Sequence, residues 1–141
     1  MFFKIPRLKF SKSTNVVELK ISLKREVLNS IISYCKMRHP DEGILILRGK
    51  SKNRHILIDG LIVPPFSFSS HSSSGFPRHM LPYDSSYVGT VHSHPSGNEH
   101  PSITDLNNFF ELISIIVRFP YSDSDIFAWN SNGKPVLLQV V

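Results

Sequence analysis

Two histidines one residue apart, followed shortly by a serine and an aspartate, are the residues of this chain best suited to chemistry. The run is His92-Ser93-His94-Pro95-Ser96-Gly97-Asn98-Glu99-His100-Pro101-Ser102-Ile103-Thr104-Asp105. Read as His-x-His and then Ser-x-x-Asp, it offers two imidazoles, a hydroxyl and a carboxylate. Two imidazoles and a carboxylate form a zinc-ligand set that leaves one position for water, the pattern of a catalytic zinc. A structural zinc is normally closed by four protein ligands, often cysteines, and this chain has a single cysteine, Cys35. The chemistry implied is metal-assisted hydrolysis.

The elements that must position these groups can be read locally. Tyr87-Val88-Gly89-Thr90-Val91-His92 is rich in β-branched and aromatic residues and predicts a strand. Side chains two apart on a strand share a face, so His92 and His94 converge on one metal if the strand runs through both. Pro95 and Ser96-Gly97-Asn98 end it. Ser102 is expected as the N-cap of a helix with apolar positions Leu106, Phe109, Phe110 and Ile113, with Asp105 one turn in on the same side. Each half alone has an ordinary explanation. Ser-x-x-Asp is a near relative of the capping box, and a lone His-x-His is more often surface or core than ligand. The combination at one fixed separation carries the reading, and Ser102 can cap the helix while still aiming its hydroxyl at a metal.

His92-Ser93-His94-Pro95 with Pro101-Ser102 and Asp105 resembles the signature of the JAMM (MPN+) metalloprotease family. The segment His39-Pro40-Asp41-Glu42-Gly43-Ile44-Leu45-Ile46 is similar to the family segment in which a glutamate opens a strand after the first helix, and Met80-Leu81-Pro82 looks like its small archaeal and bacterial members. The resemblance spans residues 20–141. It implies that His92, His94 and Asp105 hold one zinc per chain, which lowers the pKa of its water to ~7 and polarises a carbonyl. Glu42 would be general base and then acid, and Ser102 would donate to the oxyanion. The implied activity is that of a zinc isopeptidase acting on conjugates of ubiquitin or a ubiquitin-like modifier, at the amide between the modifier tail and a target lysine. No long insertion follows the metal helix, unlike eukaryotic members specific for one linkage. The alternatives are a peptidase trimming ubiquitin-like sulfur carriers, a scaffold, and a DNA-associated protein. For the last, His94-Pro95-Ser96-Gly97 also resembles the RadC family, whose members usually carry Asn where Ser93 stands here.

The rest of the chain predicts a single α/β domain, a mixed β-sheet flanked by helices. The resemblance implies the JAMM/MPN, cytidine-deaminase-like fold. Residues 17–21 alternate as a strand, and residues 22–38 carry Leu23, Val27, Leu28, Ile31, Ile32 and Cys35 at helical spacing. Residues 43–49 and 55–63 predict adjacent strands joined by the polar turn 50–53. Residues 67–75 are Ser-rich and predict a flexible loop; in the family this position binds the substrate tail. Residues 115–119, 125–130 and 136–141 predict three more strands, the last two joined through Ser131-Asn132-Gly133-Lys134 as a hairpin. Residues 1–15 form a basic extension and residues 16–141 the domain.

The net charge is +5 over 141 residues. Much of the excess lies in 4–12 and 50–54, with no basic helix face interleaved with aromatics, so nucleic acid is not the expected partner. Basic surface equally suits an acidic protein. No apolar run is long enough to span a membrane, and the N-terminus lacks the features of a secretory signal, so a cytoplasmic location is expected. His39 is expected in a turn, His100 and Glu99 in the loop, and His55, His71 and His79 lack a partner at ligand spacing. Cys35 is expected as a buried small hydrophobe.

Overall fold

The computed structural model describes residues 18–141. The basic extension of residues 1–15 and Val17, the start of the first predicted strand, lie outside the described residues. The elements in order are β1 (Lys20–Leu23), α1 (Arg25–Arg38), β2 (Ile44–Lys52), β3 (His55–Ile62), β4 (Phe68–Ser69), β5 (Ser74–Gly75), a 3₁₀ turn (Arg78–Met80), β6 (Tyr87–His94), α2 (Ile103–Asn107), β7 (Ile113–Arg118), β8 (Ile126–Trp129) and β9 (Pro135–Val140). This is the mixed sheet with helices that the sequence predicts. One feature was not legible: the sheet closes, in the order β1-β3-β2-β6-β7-β8-β9, because β9 lies parallel to β1. Closure removes the exposed edges on which open sheets aggregate.

β6 is held antiparallel by β2 and parallel by β7, with Ile44 opposite His92 on one side and Ile116 opposite it on the other. From Val88 to His94 every residue of β6 is buried. Gly89 permits the close approach to β7: a Cβ there would stand 1.9 Å from the Ile113 carbonyl oxygen. The pairing of β2 slips with both neighbours at the same place, around Leu47, Arg48 and Gly49. A slip of this kind bends and twists a strand, which suits a closing sheet. Helix α1 contributes Val27, Leu28, Ile31 and Cys35 to a core shared with Leu45, Leu47, Ile56, Ile58, Val91, Ile113 and Ile115. The apolar stripe read from the sequence is the one buried. Burial pushes the Cys35 thiol up to about 12, as an inert core residue requires.

The boundaries differ from expectation in three places. Ser22 and Leu23 complete β1 and α1 starts at Arg25, because Leu23 fits a strand period as well as a helical one. β2 runs on to Lys52, and the turn is Asn53-Arg54, both at positive φ (51° and 59°), as a two-residue hairpin turn demands. Helix α2 is only five residues long. Asn107 and Asn108 are weak helix formers, and Arg78 donates to the carbonyls of Asn108 and Phe109 at the frayed end. Phe110 packs instead against Phe76, and Ile113 opens β7. The hairpin after β8 is as predicted, with Gly133 at φ 73°.

Candidate active site

The site begins with the alternation of β6. The strand runs through both histidines, so His92 and His94 share one face while Ser93 faces the other way. Ser93 is fully buried there, accepting from the Gly43 N–H at 2.7 Å and donating its own N–H to the Gly43 carbonyl at 3.1 Å. That pins the segment between α1 and β2, which carries Glu42 towards the histidines. The Glu42 N–H donates to the Ser70 carbonyl at 2.7 Å. Glu42, expected to open a strand, lies two residues before β2, and it is buried, unlike an ordinary surface carboxylate.

The other half comes from α2. Ser102 and Asp105 form a reciprocal capping box: Asp105 N–H donates to Ser102 Oγ at 3.0 Å, and Ser102 N–H donates to Asp105 Oδ2 at 2.9 Å. Because Oγ accepts, the hydroxyl proton of Ser102 is free to donate elsewhere, and the side chain is exposed. The same box fixes the Asp105 carboxylate. Its Oδ2 lies 3.3 Å from His94 Nε2, and Glu42 Oε1 lies 3.8 Å from the same nitrogen. His94 Nδ1 faces the Asn98 carbonyl at 2.9 Å, an acceptor only, so Nδ1 carries a proton. His92 Nδ1 faces Ser74 Oγ at 3.2 Å.

The electrostatics follow from burial and these neighbours. Burial pushes Glu42 up to about 7, opposed by His94 and reinforced by the Asp105 charge. Burial pushes His92 down to about 4, which keeps its ring neutral. For His94, burial works downward, but the bonds to Asp105 and Asn98 and the two carboxylate charges outweigh it and the pKa rises. Asp105 is held down at about 2: its burial acts upward, and the bonds from His94 and the Ser102 backbone override it. The point between His94, Asp105 and Glu42 is therefore one where positive charge is favoured.

The donor set suits zinc: imidazole nitrogen with carboxylate oxygen and no thiolate. Two ligands of a tetrahedral ion at 2.0–2.1 Å stand about 3.3–3.4 Å apart, and His94 and Asp105 are at that separation. Yet no group of three His, Cys, Asp or Glu among the described residues is gathered closely enough to qualify as a ready-made metal cluster.

Other expectations resolve plainly. His39 caps α1, bonds Tyr121 Oη through Nδ1 at 2.7 Å and stacks on Phe119. His100 lies against Trp129, and Glu99 reaches Arg118 at 3.7 Å. His55 bonds Ser22, and His71 lies 3.2 Å from Asp41. The Ser-rich segment, expected as a loop, folds as the β4–β5 hairpin, and Ser74 and Ser70 from it touch the site. Sequence reading missed Ser74, Ser93 and the Asn98 carbonyl. Ser93 has a signal in its place between two histidines on one strand; Ser74 is one serine among many and has none. No helix among the described residues is long and apolar enough to cross a membrane.

Comparison with known proteins agrees with the motif. Residues 24–138 match the family of prokaryotic homologues of the JAB domain. A protein described as a "Probable metalloprotease" from Haloferax volcanii is 29% identical over 122 residues, 81% of this chain and 75% of the relative. A solved structure described as "JAMM: A Metalloprotease-like Zinc Site in the Proteasome and Signalosome" is 33% identical with a TM-score of 0.63, covering 89% of this chain and 99% of its own. A crystal structure of a JAB1/MPN domain protein from Archaeoglobus fulgidus is 31% identical with a TM-score of 0.63, covering 86% of this chain and 96% of its own. The protein belongs to the JAB-domain (JAMM/MPN) family, among its prokaryotic members.

Proposed function

We propose that this protein is a zinc metallopeptidase of the JAMM type, and that it cleaves the isopeptide bond between the C-terminal tail of ubiquitin or a ubiquitin-like modifier and a target lysine. The observation that carries the reading is that Asp105 Oδ2 and Glu42 Oε1 both approach His94 Nε2, at 3.3 and 3.8 Å, on the strand face that His92 shares. The relative described as a metalloprotease and the zinc-site structure support the class; the choice of substrate follows the motif resemblance.

In this reading His92, His94 and Asp105 hold one zinc per chain. A bound zinc ion supplies a water of pKa ~7 and polarises a carbonyl. Glu42 Oε1 takes the proton from the attacking water and delivers it to the leaving lysine amine. A carboxyl poised near neutrality suits both halves of that task. The exposed Ser102 hydroxyl, whose proton is not engaged in the capping box, donates to the oxyanion of the tetrahedral intermediate. Asp105 stays ionised throughout, and the Asn98 carbonyl keeps the His94 ring oriented.

The test is the metal content of the purified protein, paired with cleavage of modifier conjugates with and without a chelator. One zinc per chain and chelator-sensitive cleavage are expected. Zinc without cleavage across lysine-linked conjugates and linear fusions removes the isopeptidase assignment and leaves the metal site. A folded protein without zinc leaves the scaffold alternative.

A further inference from the structure

The β4–β5 hairpin reaches the site through two hydrogen bonds made by nearby residues. Ser70 accepts from the backbone N–H of Glu42 at 2.7 Å, and Ser74 Oγ lies 3.2 Å from His92 Nδ1. A hydroxyl is an ambivalent partner for a histidine, since it can donate to the ring nitrogen or accept from it. The second contact of Ser74 decides between these. Its Oγ is also 3.4 Å from the Gly43 carbonyl, which can only accept. With its one proton directed to Gly43, Ser74 must accept from His92. Nδ1 then carries the ring proton and the Nε2 lone pair is left free. His94 reaches the same state by a simpler route, because Nδ1 faces a carbonyl.

We propose that Ser74 is a positioning residue for the metal site, and that through the relay from His92 Nδ1 to Ser74 Oγ to the Gly43 carbonyl the β4–β5 hairpin sets the tautomer and ring orientation of His92. This rests on His92 being a metal ligand. Neighbours that fix the tautomer of a ligating histidine typically change metal affinity by about 10–100-fold. The relay also links three places far apart in sequence. Gly43 adjoins Glu42, His92 lies at the heart of the sheet, and Ser74 belongs to a hairpin with few other ties to the body of the protein. One of those ties is Arg38, whose guanidinium donates to Ser69. Displacing the hairpin would therefore disturb the base and the ligand together.

The experiment measures zinc affinity by competition with a chromophoric chelator, and the visible spectrum of the cobalt-loaded protein, for the wild type and three variants. Ser74→Ala removes the relay. Ser74→Thr keeps a hydroxyl on the same Cβ. Ser70→Ala removes a hydroxyl that bonds only within the hairpin turn, to Ser72 and Ser73. The expected result is zinc binding weakened about tenfold or more in Ser74→Ala with an altered cobalt spectrum, affinity largely restored in Ser74→Thr, and no change in Ser70→Ala. Equal affinity in wild type and Ser74→Ala overturns the proposal. So does an equal loss in Ser70→Ala, which would mean that hairpin order alone matters, or a Ser74→Thr variant as weak as Ser74→Ala. A wild type that binds no metal defeats the zinc reading itself, an outcome distinct from all of these.

Discussion

His94 Nε2 and Asp105 Oδ2 stand 3.3 Å apart although one residue ends a strand and the other lies in the first turn of a short helix. The capping box holds the carboxylate on one side, and the Asn98 carbonyl holds the imidazole on the other. Neither group has to be ordered when a cation arrives, which is the preorganisation that metal and transition-state binding both exploit.

Glu42→Gln keeps the shape of the side chain and removes its basicity. Turnover should fall by about 10²–10⁴-fold while zinc content and folding remain, since the proton transfer is lost and the ligands are untouched. Steady-state cleavage and metal analysis on the same preparation decide this. Normal turnover in the variant would falsify the role given to Glu42.

Ser102→Ala should act twice. Loss of the cap should lower stability by about 1 kcal/mol, and loss of the oxyanion donor should lower kcat by about 10²–10³ with little effect on KM. Ser102→Thr, which keeps the hydroxyl, should recover most of both. Denaturant unfolding and cleavage kinetics separate the effects; a stability loss with unchanged kcat would leave Ser102 as a cap only.

The pH dependence of the metal-stripped protein follows from Glu42. Its carboxyl titrates at about 7 in the folded state against an ordinary value of 4.5. The folded state therefore binds this proton more tightly than the unfolded chain does. Stability from this group is full below about pH 4.5 and is lost as pH rises through about 7. Glu42→Gln lacks that loss, so the variant should gain on the wild type across this window, by on the order of 1–3 kcal/mol. Urea midpoints of the two stripped proteins at several pH values test the sign. Zinc should shrink the difference, because a cation beside Glu42 favours its ionised form.

The sequence by itself determined the ligand spacing on β6, the capping box, the buried stripe of α1 and the hairpin at Gly133. All of these depend on contacts within a few residues, where strand alternation, helical period and turn chemistry fix what faces what. Tertiary structure alone decided that the sheet closes through β1 and β9, that helix α2 stops at Asn107, and that a Ser-rich stretch becomes a hairpin touching the site. It also decided the state of Glu42. A glutamate beside an aspartate reads as surface charge until Ser93 and Ser70, from distant parts of the chain, grip the peptide on either side of it and bury its carboxyl next to His94. Residues that act through such long-range hydrogen bonds leave no period in the sequence, because only tertiary packing brings their partners within reach.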